Sequence, residues 1–259
     1  MSATAKPIFS IARLRRELKP FKLHYFSRLR STNDHAAELR RRGKLFAPAV
    51  VLTGRQIAGR GRASNSWWSD AGSITVTFVF PAEVHLSPHQ VPLLAGLAVR
   101  DAAAELCGDD AISLKWPNDV LYEGKKLAGV LCERVSKADL IGVGLNVNTV
   151  IRRAPAALRA QITSLARVGG SNLDMTDVLL ALARRLHHAM SRRGDRLFIE
   201  TLHRYDKHHA LIGKTVSVVE AGGGQLITGK CAGLDASGRL VLKRGKTSHA
   251  LIAGQVRMH

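Results

Sequence analysis

Cysteine is scarce in this chain. The three present, Cys107, Cys132 and Cys231, are far apart, odd in number and form no C-x-x-C pair. A disulfide scaffold is therefore excluded, no zinc or redox centre is signalled, and a reducing compartment is the simplest setting. Long apolar runs are also missing. The longest, around residues 74–80, falls well short of the roughly 18 residues a membrane span requires. Arg13, Arg15 and Arg16 break the first twenty residues, so no signal-peptide core is present. The expected location is the cytoplasm, with no membrane partner. Aromatic residues make up only 5%, which leaves little for base stacking on a nucleic acid. No repeat of fixed period and no low-complexity tract occurs. Acidic residues are few beside basic ones, 20 against 39, for a formal charge of +19.

What is present is an ordinary globular composition, with 46% hydrophobic and 23% charged residues in 259. That length suits one large domain or two unequal ones. The basic excess is spread over the chain: residues 1–150 hold 21 basic and 13 acidic residues, and 151–259 hold 18 and 7. Clusters at Arg40-Arg41-Arg42, Arg184-Arg185, Arg192-Arg193 and Lys243-Arg244 suit a solvated basic surface. The summed field favours a polyanion or an acidic partner.

Residues 22–28 read as a strand, and Ser31-Thr32-Asn33-Asp34 supply capping chemistry for a helix ending near Gly43. Residues 49–53 and 74–80 read as buried strands separated by a long Gly/Arg/Ser loop. Ser87-Pro88 predict the start of a helix running to about Cys107, with Pro88 in its first position. A short strand at 112–116 is broken by Pro117-Asn118-Asp119, and residues 120–134 form a hairpin turning at Glu123-Gly124. A further strand covers 140–147. Residues 175–193 and 196–210 carry apolar residues at helical spacing. Beyond 211, short strands with turn signals at Gly222-Gly223-Gly224 and around Asp235 suit a small antiparallel barrel. The fold class is α+β: a mixed β-sheet catalytic domain covered by helices (1–210), then a small C-terminal antiparallel β-barrel (211–259).

Three loops at strand ends are more polar than turn-making requires: 31–34, 56–68 and 115–126. Gly59-Arg60-Gly61-Arg62 alternates residues permitting close backbone approach with guanidinium forks suited to phosphate or carboxylate. Lys115-Trp116-Pro117-Asn118-Asp119 places a cation, an amide and a carboxylate in one stiffened turn. Lys126 heads the otherwise apolar stretch Leu127-Ala128-Gly129-Val130-Leu131.

These motifs carry a resemblance. STN at 31–33, Q-x-x-GRGR at 56–62 with Trp67 beyond it, KWPND at 115–119, GKKLAGVLCE at 124–133 and GVGLNVN at 142–148 resemble the biotin protein ligase (biotin–[acetyl-CoA-carboxylase] ligase) family in letters, order and spacing. The resemblance covers about 23–165 as catalytic domain, with 211–259 similar to the family's C-terminal barrel. It implies an enzyme that uses ATP, with Mg²⁺, to activate biotin as biotinyl-5′-AMP. The biotinyl group then passes to a lysine of a biotin carboxyl carrier protein or domain. By similarity the catalytic groups are Lys126, Arg60, Arg62 and Asp119. The biotin site draws on Ser31, Thr32, Asn33, Gln56, Arg60, Gly61, Arg62, Lys126, Gly129, Gly142 and Gly144. The ATP site draws on Arg62, Trp67, Lys115, Asn118, Lys126 and Asn146. No metal ligand is assigned.

The family's loop commonly continues G-R-G-R-x-G-R-x-W, whereas here Ala63-Ser64-Asn65-Ser66 precede Trp67, so a glycine and a cation are missing. Only about twenty residues precede Phe21, so the form expected lacks an N-terminal DNA-reading domain, and no specific DNA binding is expected. A homodimer is one assembly the resemblance allows. Two alternatives stand beside the main reading: a lipoate or octanoate ligase or transferase of the same fold, and a basic nucleic-acid-binding protein.

Overall fold

The computed structural model describes residues 8–258, apart from 64, 84–85, 192–194 and 221–223. The Arg192-Arg193 cluster, Gly222-Gly223 and Ser64 therefore lie outside the described residues. The chain runs α1 (Ile11–Glu17), β1 (Lys22–Phe26), α2 (Thr32–Arg41), β2 (Ala49–Thr53), β3 (Gly59–Arg60), β4 (Ser66–Trp67), β5 (Ser73–Pro81) and α3 (Val91–Cys107). It continues through β6 (Ser113–Lys115), β7 (Asp119–Tyr122), β8 (Lys125–Val135), β9 (Ala138–Asn146), α4 (Ala156–Arg159), α5 (Leu165–Val168), α6 (Met175–Ser191) and α7 (Asp195–Lys207). The last part is β10 (Thr215–Glu220), β11 (Leu226–Leu234), β12 (Leu240–Arg244), β13 (Thr247–Leu251) and β14 (Gly254–Met258).

The main sheet has the order β1-β2-β5-β9-β8-β7-β6. Only β1 and β2 pair in parallel, so the sheet is mixed as expected. Its two faces are distinguished by strand parity. Ile74, Val76, Phe78 and Phe80 of β5 join Ile141, Val143 and Leu145 of β9 in the large core, which α3 and α6 cover. Each such fully buried side chain contributes roughly 1.5–3 kcal/mol. α6 meets α3 through Val178, Leu179, Leu182 and Leu186, at the three and four spacing of one helical face. On the opposite face α2 covers only one end, through Ala36 and Ala37 against Val51, Val79 and Leu140.

The hairpin at Glu123-Gly124 forms as read. Tyr122 pairs with Lys125, and the two turn residues have φ of 49° and 74°, the left-handed pair that suits the twist of a two-residue connection. The start of α3 differs from the expectation: Pro88 lies in a turn, and the helix begins at Val91 with Pro92 in its first turn. The Ser87 and Gln90 bonds that close this turn, at 2.9 Å each way, precede the helix. α7 likewise stops at Lys207, because residues 208–210 pair with Leu114 of β6 through bonds of 2.8 Å. The C-terminal strands form a five-stranded antiparallel sheet of order β13-β12-β11-β10-β14. Its two end strands do not pair, so the expected barrel is not closed. Among the described residues no helix is long and apolar enough to cross a membrane.

Candidate functional site

The site begins with the second face of the main sheet. Residues of opposite parity to the core, Thr75 and Thr77 on β5, Gly142, Gly144 and Asn146 on β9 and Gly129 on β8, all face away from the apolar helices. Register aligns them, with Thr77 opposite Gly142, Thr75 opposite Gly144, and Gly129 opposite Gly144. The floor they make is small and polar, and a cavity of about 770 Å³ stands over it. Every candidate residue named from the sequence lines this cavity.

Lys126 reaches the floor through a β-bulge. Val120 pairs with Ala128 but Leu121 pairs with Lys126, so Leu127 is an extra residue in β8. Leu127 and Ala128 consequently both enter the core, and Lys126 moves onto the face of Gly129. A Cβ on Gly129 would meet Lys126 Cε at 3.0 Å and Nζ at 3.2 Å. Across the hairpin, Asp119 pairs with Gly129, and its Oδ1 lies 2.7 Å from Lys126 Nζ. Asn118 is anchored beside them: its Nδ2 donates to the Val130 carbonyl at 2.8 Å, and its main-chain carbonyl accepts from Val130 N at 2.9 Å. Asn146, also buried, donates from Nδ2 to the Lys126 carbonyl at 3.5 Å.

The STN segment is both capping device and wall. Ser31 Oγ accepts from Asp34 N at 3.3 Å, and Gln56 Oε1 accepts from Thr32 N at 2.9 Å, so two free donors of the α2 terminus are satisfied. Asn33 is committed to the fold. Its Nδ2 donates to the Leu131 carbonyl at 3.1 Å and Glu133 Oε2 at 2.8 Å, while its Oδ1 accepts from Thr77 at 2.6 Å. A Cβ on Gly142 would fall on Asn33 Oδ1. Gly142 therefore makes room for Asn33, where the sequence reading had it make room for a ligand ring.

The Gly/Arg loop is more ordered than the sequence suggests. β3 and β4 form a small ladder, Gly59 opposite Trp67 and Arg60 opposite Ser66, which folds the loop over the floor. The Trp67 indole rests on Gly144 and touches the Gly129 position, with Lys126 Nζ 5.7 Å from its ring centroid. The two arginines differ. Arg60 Nη2 lies 2.6 Å from Asp34 Oδ1 and 3.0 Å from each Glu133 carboxylate oxygen. Arg62 turns inward, donating to Asn118 Oδ1 at 3.5 Å, and makes no ion pair among the described residues.

Electrostatics follow this geometry. Burial lowers the pKa of Arg62, partly offset by Asp119 and Cys132. It also lowers that of Lys115; Asp119 opposes that shift and Lys126 adds to it. Burial works against the Arg60 charge too, but its bonds to Glu133 and Asp34 prevail and raise its pKa. The cavity thus gathers Lys115, Lys126 and Arg62 around one carboxylate, Asp119, an excess of positive charge that suits an anionic ligand. Among the described residues, no group of three or more His, Cys, Asp or Glu is placed to hold a metal ion.

Sequence reasoning missed several parts. Glu133 and Thr77 fix Asn33, and residues 158, 161 and 162 form a side wall, tied to β8 by Lys126 N donating to the Gln161 carbonyl at 2.7 Å. Glu220 and Gln255, at adjoining ends of β10 and β14, line the mouth from the C-terminal sheet. Glu133 stood inside a quoted motif and was the one with a signal. The others depend on contacts no local pattern reports.

A sheet floored by glycine and threonine, a lysine–aspartate pair and a Gly/Arg loop folded over them define an anion-binding site of the acyl-activating kind. The model of the biotin/lipoate A/B protein ligase family matches residues 25–149. The biotin–[acetyl-CoA-carboxylase] ligase of Mycobacterium tuberculosis is 33% identical over 215 residues, 80% of this chain and 77% of that protein. The bifunctional ligase/repressor BirA of Bacillus subtilis is 34% identical over 175 residues, 64% of this chain; the match spans about half, 53%, of that relative's length. A solved biotin protein ligase from Aquifex aeolicus, in complex with biotin and ATP, superposes with a TM-score of 0.82 at 26% identity, covering 92% of this chain and 99% of that one. The chain belongs to the biotin protein ligase family.

Proposed function

We propose that this protein is an ATP-dependent biotin protein ligase. Biotin's carboxylate oxygen attacks the α-phosphorus of ATP, a P–O bond forms, and pyrophosphate leaves with its electron pair. A carrier lysine then attacks the acyl carbon of the mixed anhydride, forming an amide, and AMP departs after the amine has lost a proton. The observation that carries the reading is the placement of Lys126 beside Asp119 on the glycine floor, with Lys115 and Arg62 around them.

The first step brings two anions together, so its barrier is chiefly electrostatic. Lys126 would bridge biotin's carboxylate and the α-phosphate, and Arg62 and Lys115 would hold the phosphates. Ser31, Thr32 and Gln56, with the Gly61 backbone, would meet biotin's ureido ring. Trp67 would leave its resting place on Gly144 to stack on adenine, with Asn118 and Asn146 nearby. Asp119, already paired with Lys126, would orient it and later face the incoming amine. Mg²⁺ belongs to this reading as the companion of the nucleotide phosphates, neutralising their charge; Asp119 is the cavity carboxylate best placed to help hold it.

The carrier is inferred to be a biotin carboxyl carrier protein or domain, steered by the chain's positive field if it is acidic. Residues 1–210 would act as the catalytic unit, with 211–259 contributing the mouth of the cavity. Mass spectrometry of the protein mixed with biotin, ATP and Mg²⁺ tests the reading. Biotinyl-AMP should be retained by the protein, and lipoate should give none. Absence of the biotinyl adenylate, or equal adenylate from lipoate, would overturn it.

A further inference from the structure

Arg60 is the one cation of the site whose guanidinium is already matched by protein carboxylates. It lies on the short ladder that carries the loop, and its two partners come from separate elements: Asp34 from the first turn of α2 and Glu133 from β8. Glu133 is itself held in place. Its Oε2 accepts from Asn33, whose remaining polar atoms bond the Leu131 carbonyl and Thr77, and the bare Cα of Gly142 leaves no slack around that amide. The chain of contacts from Thr77 through Asn33 and Glu133 to Arg60 therefore runs from the sheet floor to the loop. Arg62, two residues on, faces the cavity with no such partner among the described residues.

We propose that Asp34 and Glu133 form a two-carboxylate latch that holds the 59–67 loop shut through Arg60. On this account Arg60 is a positioning residue, and ligand charge is met by Arg62, Lys115 and Lys126. The alternation in Gly-Arg-Gly-Arg then divides the labour, one guanidinium fastening the loop to the body of the protein and the other facing the ligand. The latch contacts remain partly exposed, with Arg60 at 42% and Glu133 at 32% side-chain exposure, so they are weak and salt-sensitive enough to open each time substrate enters or product leaves. The consequence for a bound acyl-adenylate rests on the ligase reading above, but the latch itself does not, because it is already formed without ligand.

The test uses Glu133→Gln and Asp34→Asn in the full chain. Asp34→Asn leaves the Asn33 contacts untouched and guards against a folding failure in the other variant. Without ligand, tryptic cleavage after Arg62 should quicken about threefold in Asp34→Asn and up to about tenfold in Glu133→Gln. Added salt should speed cleavage of the wild type far more than that of either variant. With biotin and ATP, release of biotinyl-AMP should quicken by similar factors, while its rate of formation changes less than twofold. Arg60→Lys should restore part of the retention lost in Arg60→Gln. Unchanged cleavage in both variants overturns the latch. Faster cleavage with unchanged release overturns its role as guard of the intermediate. A wild-type protein that makes no adenylate, yet shows the cleavage differences, sinks the ligase reading and leaves the latch standing.

Discussion

Lys126 Nζ stands 2.7 Å from Asp119 Oδ1 because Leu127 is an extra residue in β8. Without the bulge, Lys126 and Gly129 would lie on opposite faces of the sheet, and the lysine would point into the core side. The bulge thus converts a sequence neighbour of the site into a member of it.

Lys126→Ala should reduce adenylate formation by 10²-fold or more, since a cation that strengthens its grip as charge develops acts on the transition state. Folding should suffer little: the pair is partly exposed, and such pairs contribute about 0–1 kcal/mol. Pyrophosphate release and the denaturation midpoint measure the two effects. Wild-type turnover in the variant would remove Lys126 from the mechanism.

Arg62→Gly should weaken retention of biotinyl-AMP more than its formation. Asn65 stands where the family's pattern has a further cation, so less charge is left to compensate. The released anhydride would acylate lysines of an unrelated bystander protein. Half-life of the bound intermediate and bystander labelling are the measurements, and no change in either would mark Arg62 as a mere loop residue.

Lys115 provides a pH signature. Its pKa lies below the ordinary lysine value because burial disfavours the charge. A bound polyphosphate favours the charge and raises it again. Between the lowered value and the bound value, nucleotide binding takes up a proton, so affinity falls as pH rises through that window. Calorimetry at alkaline pH in two buffers of different ionisation heat should show this uptake, and Lys115→Met should abolish it. In the free protein the sign is reversed for stability: the folded state holds fewer protons than the unfolded one across the window, so Lys115 makes folding more favourable as pH rises.

Two glycines should respond oppositely to alanine. Gly142→Ala drives a methyl group into buried Asn33, and overpacking of this kind costs about 1–3 kcal/mol. Gly96, within α3, has only Leu114 Cδ2 near, at 3.8 Å, so Gly96→Ala should stabilise by about 0.5–1 kcal/mol. Denaturant midpoints compare them directly, and equal shifts would contradict the packing assigned to Gly142.

Local chemistry determined much of this protein. The type of most main-sheet strands, the Glu123-Gly124 hairpin and the capped helix after Ser31 follow from periodicity and from residues whose backbone preferences act over a few positions. Gln56, Lys115, Asp119, Lys126 and the glycines were recognisable because their motifs are contiguous. Tertiary structure decided the rest. Parity within a strand does not say which face meets a helix and which meets a cavity, so Thr75, Thr77, Gly142 and Gly144 became a floor only once α3 and α6 had covered the other side. Pro88 fits a helix start equally well in isolation, and the Ser87–Gln90 turn displaced that start. The pairing of Arg60 with Asp34 and Glu133, the resting of Trp67 on Gly144, and the arrival of Glu220 and Gln255 at the mouth all join residues remote in sequence. Such contacts depend on distances that only the packed sheet and helices fix.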